Sequence, residues 1–181
     1  STTLSNLAVL FFEQGRYTKA EGYFQHALEI GKEASGPNSL QTAHNLNNFA
    51  ELYKARGHYS DAEPYLKQAL AIFESHLGPN HSNVALALNN LAGLYRQQGR
   101  YGEVEPLLKR ALAINEKIFG ATHLHVATNL NNIAEVCDHQ NLYAKAESVW
   151  KRALAIREKA LGPNHPDVAV SLSNLAMSYQ V

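Results

Sequence analysis

The chain has 181 residues, 16 Lys+Arg against 16 Asp+Glu, and a hydrophobic share of 45%. That composition can build a core and argues against a disordered chain. Zero net charge argues against non-specific binding to nucleic acid or to an anionic membrane, both of which need a basic surplus.

The predicted elements come in helix pairs that recur every 42 residues. The chain opens with Leu4-Ser5-Asn6-Leu7-Ala8, a stop at Gly15, and a second helix carrying Ala27-Leu28-Glu29-Ile30. In the next copy Leu46, Phe49, Ala50 and Tyr53 fall at i, i+3, i+4 and i+7, one buried helical face, with a stop at Gly57. Ala62, Leu66, Ala69, Leu70 and Leu77 extend the stripe along its second helix, which ends at Gly78-Pro79-Asn80-His81. Leu88-Asn89-Asn90-Leu91-Ala92, Gly99 and Ala111-Leu112-Ala113-Ile114 make the third copy. Leu130-Asn131-Asn132-Ile133-Ala134, with Asn141 at the stop, and Ala153-Leu154-Ala155-Ile156 make the fourth. A fifth begins at Leu172-Ser173-Asn174-Leu175-Ala176.

The register predicts units at about 1–38, 39–80, 81–122 and 123–164 plus a final first helix at 165–181, in a single array without a linker. Alternating strand patterns are absent, so the fold class is all-α. The second helices of the first two units are expected to open with capping boxes, Thr18-x-x-Glu21 and Ser60-x-x-Glu63. Pro64 and Pro106 are expected in the first turn, where a missing N–H costs little.

Leu-x-x-Leu-Ala-x-x-Tyr (Leu88 to Tyr95), Gly-Arg-Tyr (Gly99 to Tyr101) and Ala-x-x-x-Phe-x-x-Ala (Ala20 to Ala27) resemble the tetratricopeptide repeat. The long period, with Leu-Gly-Pro-Asn-His-Pro-Asp-Val-Ala (Leu161 to Ala169), is similar to the repeats of kinesin light chains and of related bacterial and nephrocystin-like arrays. The resemblance covers the whole chain. It implies a right-handed superhelical solenoid whose first helices line a concave groove that binds peptides or proteins. Light chains use such a groove to hold cargo adaptors through short, often acidic, Trp-containing segments.

Helical geometry selects the groove residues. Asn48 lies about 150° from the centre of the core stripe, together with His44, Glu51 and Ala55. Asn6, Asn48, Asn90, Asn132 and Asn174 hold that position in all five first helices. An amide that both donates and accepts suits an extended peptide backbone, whereas a merely solvated face is better served by Lys or Glu. Bridging of neighbouring helices within the stack is the alternative. Asn47, Asn89 and Asn131 lie between core stripe and groove, and fit either role. Lys54 and Arg96 are the basic groups at the groove edge, and Glu51, Glu135 and Asp138 oppose them, so an acidic ligand is not specified. Thr2, Ser5, His44, Asn47, Leu86 and Asn89 stand where the carboxylate-clamp class of these repeats carries Lys or Arg, which argues against capture of a terminal carboxylate.

Other candidates fit structural roles. His81, His123 and His165 recur 42 residues apart at helix starts, too dispersed to share an ion, and His123-x-His125 lacks companions at zinc spacing. Cap and loop roles are expected, with no metal and no cofactor. Cys137 replaces the core aromatic of other units and is expected to be buried, and Trp150 reads as core. Lys67, Lys109-Arg110 and Lys151-Arg152 read as a solvated convex band. A single cysteine cannot close an internal disulfide, so a reducing, cytoplasmic setting is expected. The polar opening Ser1-Thr2-Thr3 is no signal peptide, and no apolar run is long enough for membrane insertion.

No nucleophile–base set, phosphate-binding glycine loop or paired-carboxylate site stands out, so no enzymatic activity is expected. The expectation is a non-catalytic scaffold for a protein or peptide partner, a piece of a larger motor-adaptor or signalling protein. The alternative is a self-assembly module that stacks end to end.

Overall fold

The computed structural model describes residues 2–177, with the side chains of Thr2 and Met177 excepted. These residues form α1 (Thr2–Glu13), α2 (Tyr17–Ser35), α3 (Leu40–Ala55), α4 (Tyr59–Leu77), α5 (Ser82–Gln97), α6 (Tyr101–Phe119), α7 (Leu124–His139), α8 (Tyr143–Leu161) and α9 (Pro166–Met177). Among the described residues there is no strand. The chain is an all-α helical-repeat solenoid. Residues 178–181 of the expected last helix lie outside the description. Two compact units divide the chain, Ser1–Gln98 with α1–α5 and Gly99–Val181 with α6–α9.

Helices α1, α3, α5 and α7 each end where the sequence places a residue able to adopt positive φ. Gly57 has φ +76° and Asn141 has φ 59°. The reversal lets the His58 N–H reach the Tyr53 carbonyl at 2.9 Å and the Gly57 N–H reach the Lys54 carbonyl at 3.0 Å. The two bonds satisfy carbonyls that the helix end would otherwise leave open. In the second unit the Leu142 N–H closes on the Cys137 carbonyl at 2.8 Å in the same way.

The next helix starts at once, and here the structure corrects the sequence reading. Arg16 and His58 are the N-caps of α2 and α4, and neither makes a side-chain capping bond. Thr18 and Ser60 already lie inside the helix, so the expected capping boxes do not form. The turn is so tight that the residue closing one helix also opens the next. Pro64 consequently stands sixth in α4 rather than in the first turn. Its missing N–H leaves the exposed Ser60 carbonyl to water.

Freed from capping, the glutamates tie successive repeats. In the first unit the Tyr53 hydroxyl donates to Glu21 at 3.4 Å and the Tyr95 hydroxyl to Glu63 at 3.0 Å. Burial, and then these carboxylates, push both phenols above their ordinary pKa. In the second unit Cys137 takes the tyrosine's place, and Glu105 turns to Lys109 and Lys145, each at 3.0 Å. Those two ammonium groups hold its carboxyl below the usual range.

Junctions from even to odd helices use real side-chain caps. Ser39 Oγ accepts from the Thr42 N–H at 3.1 Å. His81 Nδ1 accepts from Asn83 at 3.1 Å, and His123 and His165 accept from His125 and Asp167 at 3.2 Å. The periodic histidines are therefore N-caps, with Nδ1 as the acceptor.

Packing depends on small residues at the helix crossings. Ala8, Ala20, Ala50, Ala62, Ala111, Ala134 and Ala146 are wholly inaccessible. Larger side chains fill the space between them. Leu46, Leu52, Leu66, Phe73, Leu88 and Leu94 do so in the first unit. In the second, Val126, Ala127, Leu130, Ala153 and Ile156 cluster with Leu112 and Val149. Cys137 and Trp150 are buried, as expected from their places in the repeat.

Two outcomes check this description. His81→Ala should cost about 0.5–2 kcal/mol of stability in urea denaturation, the usual range for a lost N-cap, and His81→Asp should recover most of it. Cys137, whose thiol is pushed up chiefly by burial, should react with a thiol reagent far more slowly in the native than in the unfolded chain. Because its folded pKa is raised, its contribution to stability is present below the unfolded value and is lost as pH rises through the folded one.

Candidate functional site

The predicted stripe on α3 coincides with that helix's least buried strip. His44 and Ala55 are exposed, while Asn48 and Glu51 are half-buried. The His44 ring meets Phe73 edge-on at 4.9 Å, and partial burial lowers its pKa. Corresponding strips carry exposed Asn6 on α1, half-buried Asn90 on α5, half-buried Asn132 on α7 and half-buried Asn174 on α9.

The amides do not all behave alike. In the first unit Asn90 Nδ2 donates to Oδ1 of Asn47 at 2.9 Å, joining α5 to α3. In the second unit Asn174 donates to Asn131 at 3.0 Å, and Asn131 in turn donates to Glu135 at 2.8 Å. Asn47 is only 8% exposed, so the first of these bonds satisfies a nearly buried amide. Asn89 donates to the Ala85 carbonyl of its own helix at 2.9 Å. The side chains of Asn6, Asn48 and Asn132, by contrast, make no hydrogen bond among the described residues. The five asparagines thus separate into two that link helices and three whose amides stay open.

The basic residues at the edge are already engaged. Lys54 pairs with Glu51 at 2.7 Å, and its ammonium lies 3.7 Å from where a Cβ on Gly93 would stand. The glycine leaves room on α5 for the lysine to lie down. Arg96 is half-buried near the end of α5.

Sequence reasoning missed a buried polar network. Asn45 donates to the Ala27 carbonyl at 2.9 Å and accepts from Ser5 Oγ at 2.9 Å, knitting α3 to α2 and α1. Asn115 donates to Asn129 at 2.6 Å in the second unit. The signal was a polar residue recurring at 45, 129 and 171 on an otherwise apolar face, interrupted by Ala87. Also missed was a cavity of about 250 Å³ lined by Glu135, Asp138, His139, Trp150 and Asn174. The Trp150 Nε1–H is buried without an acceptor, the one such side-chain atom among the described residues. Leaving a buried donor unsatisfied costs about 1–3 kcal/mol.

No group of three metal-ligating side chains occurs among the described residues; the His123 ring stacks on Phe119 and the His125 ring meets it tilted. Nor is any described helix long and apolar enough to cross a membrane.

Short turns, buried alanines and inter-repeat side-chain bridges define a helical-repeat scaffold. The family model described as "Tetratricopeptide repeat" matches residues 1–75, 83–159 and 125–180, and a second model of the same description matches residues 47–117. The chain belongs to the tetratricopeptide repeat family. Among solved structures it is similar to BtubC (BKLC) from P. vanneervenii, with TM-score 0.86 and 26% identity over 98% of this chain and 70% of that one. Two crystal structures of Podosopora anserina putative kinesin light chain TPR-like repeats share its fold at 22% identity. One has TM-score 0.85 over 99% of this chain and 84% of that one; the other has 0.84 over 99% and 85%. No curated protein matches the chain. Repeats of this family mediate protein–protein interaction, and the scaffold is generally non-catalytic.

The split among the asparagines is testable through stability. Asn90→Ala should destabilise the chain by about 0.5–1.5 kcal/mol, because it removes the bond to Asn47. Asn132→Ala should leave the urea midpoint nearly unchanged. Equal losses at the two positions would show that the asparagines act alike.

Proposed function

We propose that the chain is a non-catalytic scaffold that holds a peptide or protein partner in a concave groove lined by its first helices, a cargo or adaptor segment of the kind carried by kinesin light chains. The reading is carried by Asn48 and Asn132, which are half-buried and leave their amides without a bond among the described residues. A half-desolvated amide with both donor and acceptor open is ready for a peptide group, which presents the complementary pair. Lys54, neutralised by Glu51, does not specify an acidic partner. On this reading the chain works in the cytoplasm as part of a larger motor-adaptor or signalling protein, without nucleic acid or a cofactor.

Val170 and Leu172, 55% and 47% exposed on α9, support a second reading in which copies stack end to end. Light scattering across a concentration series separates the two, since stacking predicts growth with concentration and groove binding a steady monomer.

A pull-down with the chain followed by peptide mapping identifies the ligand on which the groove reading is tested. Asn48→Ala and Asn132→Ala should each weaken that ligand by about 0.5–1.5 kcal/mol and together reduce its affinity about fivefold or more, with helicity and melting temperature retained. Unchanged affinity in the double variant would sink the groove assignment.

A further inference from the structure

Trp150 brings a polar group that the fold does not use. The side chain is 4% exposed, and its indole N–H is buried without an acceptor. Buried donors are nearly always paired, so this one points to an acceptor supplied from outside the chain. Phe24, Leu66 and Leu108 hold the same place in the first three repeats, and none of them carries a donor. The orphan is therefore particular to the fourth repeat.

Trp150 lines a cavity of about 250 Å³ together with Glu135, Asp138 and His139 of α7 and Asn174 of α9. That volume lies below the roughly 300–1,000 Å³ of pockets for drug-sized ligands, and suits one side chain. Asn174 is half-buried and belongs to the first-helix strip, so the cavity adjoins the face that would carry a peptide. Its Nδ2 donates to Asn131 at 3.0 Å, which fixes the amide and leaves Oδ1 without a donor among the described residues. Glu135 is held by the Asn131 amide at 2.8 Å and belongs to the scaffold around the cavity. Asp138 makes no ion pair among the described residues. The walls thus offer a donor at Trp150 and a neutral acceptor at Asn174.

We propose that this cavity is a subsite for a glutamine side chain of a bound peptide, whose amide oxygen accepts the Trp150 Nε1–H while its NH₂ donates to Asn174 Oδ1. A carboxamide carries its acceptor and its donor on separate atoms and has no charge to desolvate. Glutamine has a longer stem than asparagine, which a recessed donor needs. Arginine and lysine only donate, and would leave the indole N–H unpaired. A carboxylate could accept that N–H, but it brings no proton for Asn174 and its charge would face Asp138. Methionine fills similar space with a weak acceptor and no donor. The inference rests on the reading of the first-helix face as a peptide-binding surface, and gives that surface a side-chain preference.

The chain has a single tryptophan, so one indole ¹H–¹⁵N resonance reports the cavity. The probes are acetylated and amidated pentapeptides with glutamine, glutamate, methionine or serine flanked by alanines. The glutamine peptide is expected to shift the indole resonance saturably and to bind about tenfold tighter than each of the others, the scale of one buried donor gaining its acceptor. In Trp150→Phe, which places here the residue that the first repeat carries, glutamine binding followed through the backbone amides of α7 should fall to the methionine level. A merely structural role for Trp150 would instead weaken glutamine and methionine alike and keep the preference, which would overturn the proposal. Absence of a glutamine-dependent indole shift would overturn it too. So would glutamate, methionine or serine binding as tightly as glutamine, since equal binding assigns the contact to the peptide backbone. These readouts need neither the mapped partner nor the Asn48 and Asn132 variants, so failure of the subsite and failure of the groove reading remain distinguishable.

Discussion

The structure depends on how closely two helices can approach. Every helix from α1 to α8 carries at least one alanine with almost no accessible surface, placed where a neighbouring helix crosses it. A methyl group there lets backbones come near enough for leucine and aromatic side chains on either side to interlock. Close approach in turn brings polar side chains of successive repeats within reach: Tyr53 of Glu21, Asn90 of Asn47, Asn174 of Asn131. Larger residues at the crossings would part the helices and break these bridges together.

Much of this was legible in the sequence because a repeat reports itself several times. The positive-φ stops, including the asparagine at 141, follow from residue type alone. So does the burial of Cys137 and Trp150, which inherit the places of aromatic and leucine residues in other copies. The starts of the even helices were misread because Thr18 and Ser60 match a capping pattern that a longer turn would have used. In the actual turn the chain has no residue to spare, and the helix begins before the cap can act. Local pattern cannot see that economy.

The polar contacts were harder to read for a different reason. Aligning copies places Asn47 over Asn89 and Asn48 over Asn90, yet the bond runs from Asn90 to Asn47, a separation of 43 residues. Similarity between copies identifies equivalent residues, whereas hydrogen bonding between copies joins non-equivalent ones. The same limitation hid the Trp150 cavity, whose walls come from α7, α8 and α9. The five asparagines, uniform by sequence, therefore become two kinds in the structure. One kind holds helices together and the other leaves its amide open.

The inter-helix bridges also bear on how the chain reaches this structure. They span from 14 residues, between Asn115 and Asn129, to 43, between Asn47 and Asn90. Each closes a loop of modest length, and closure entropy rises only slowly over that range. A chain built from such short closures has low contact order, the condition for rapid folding. Ordering can begin in any repeat that first brings its alanines together and spread to its neighbours from there.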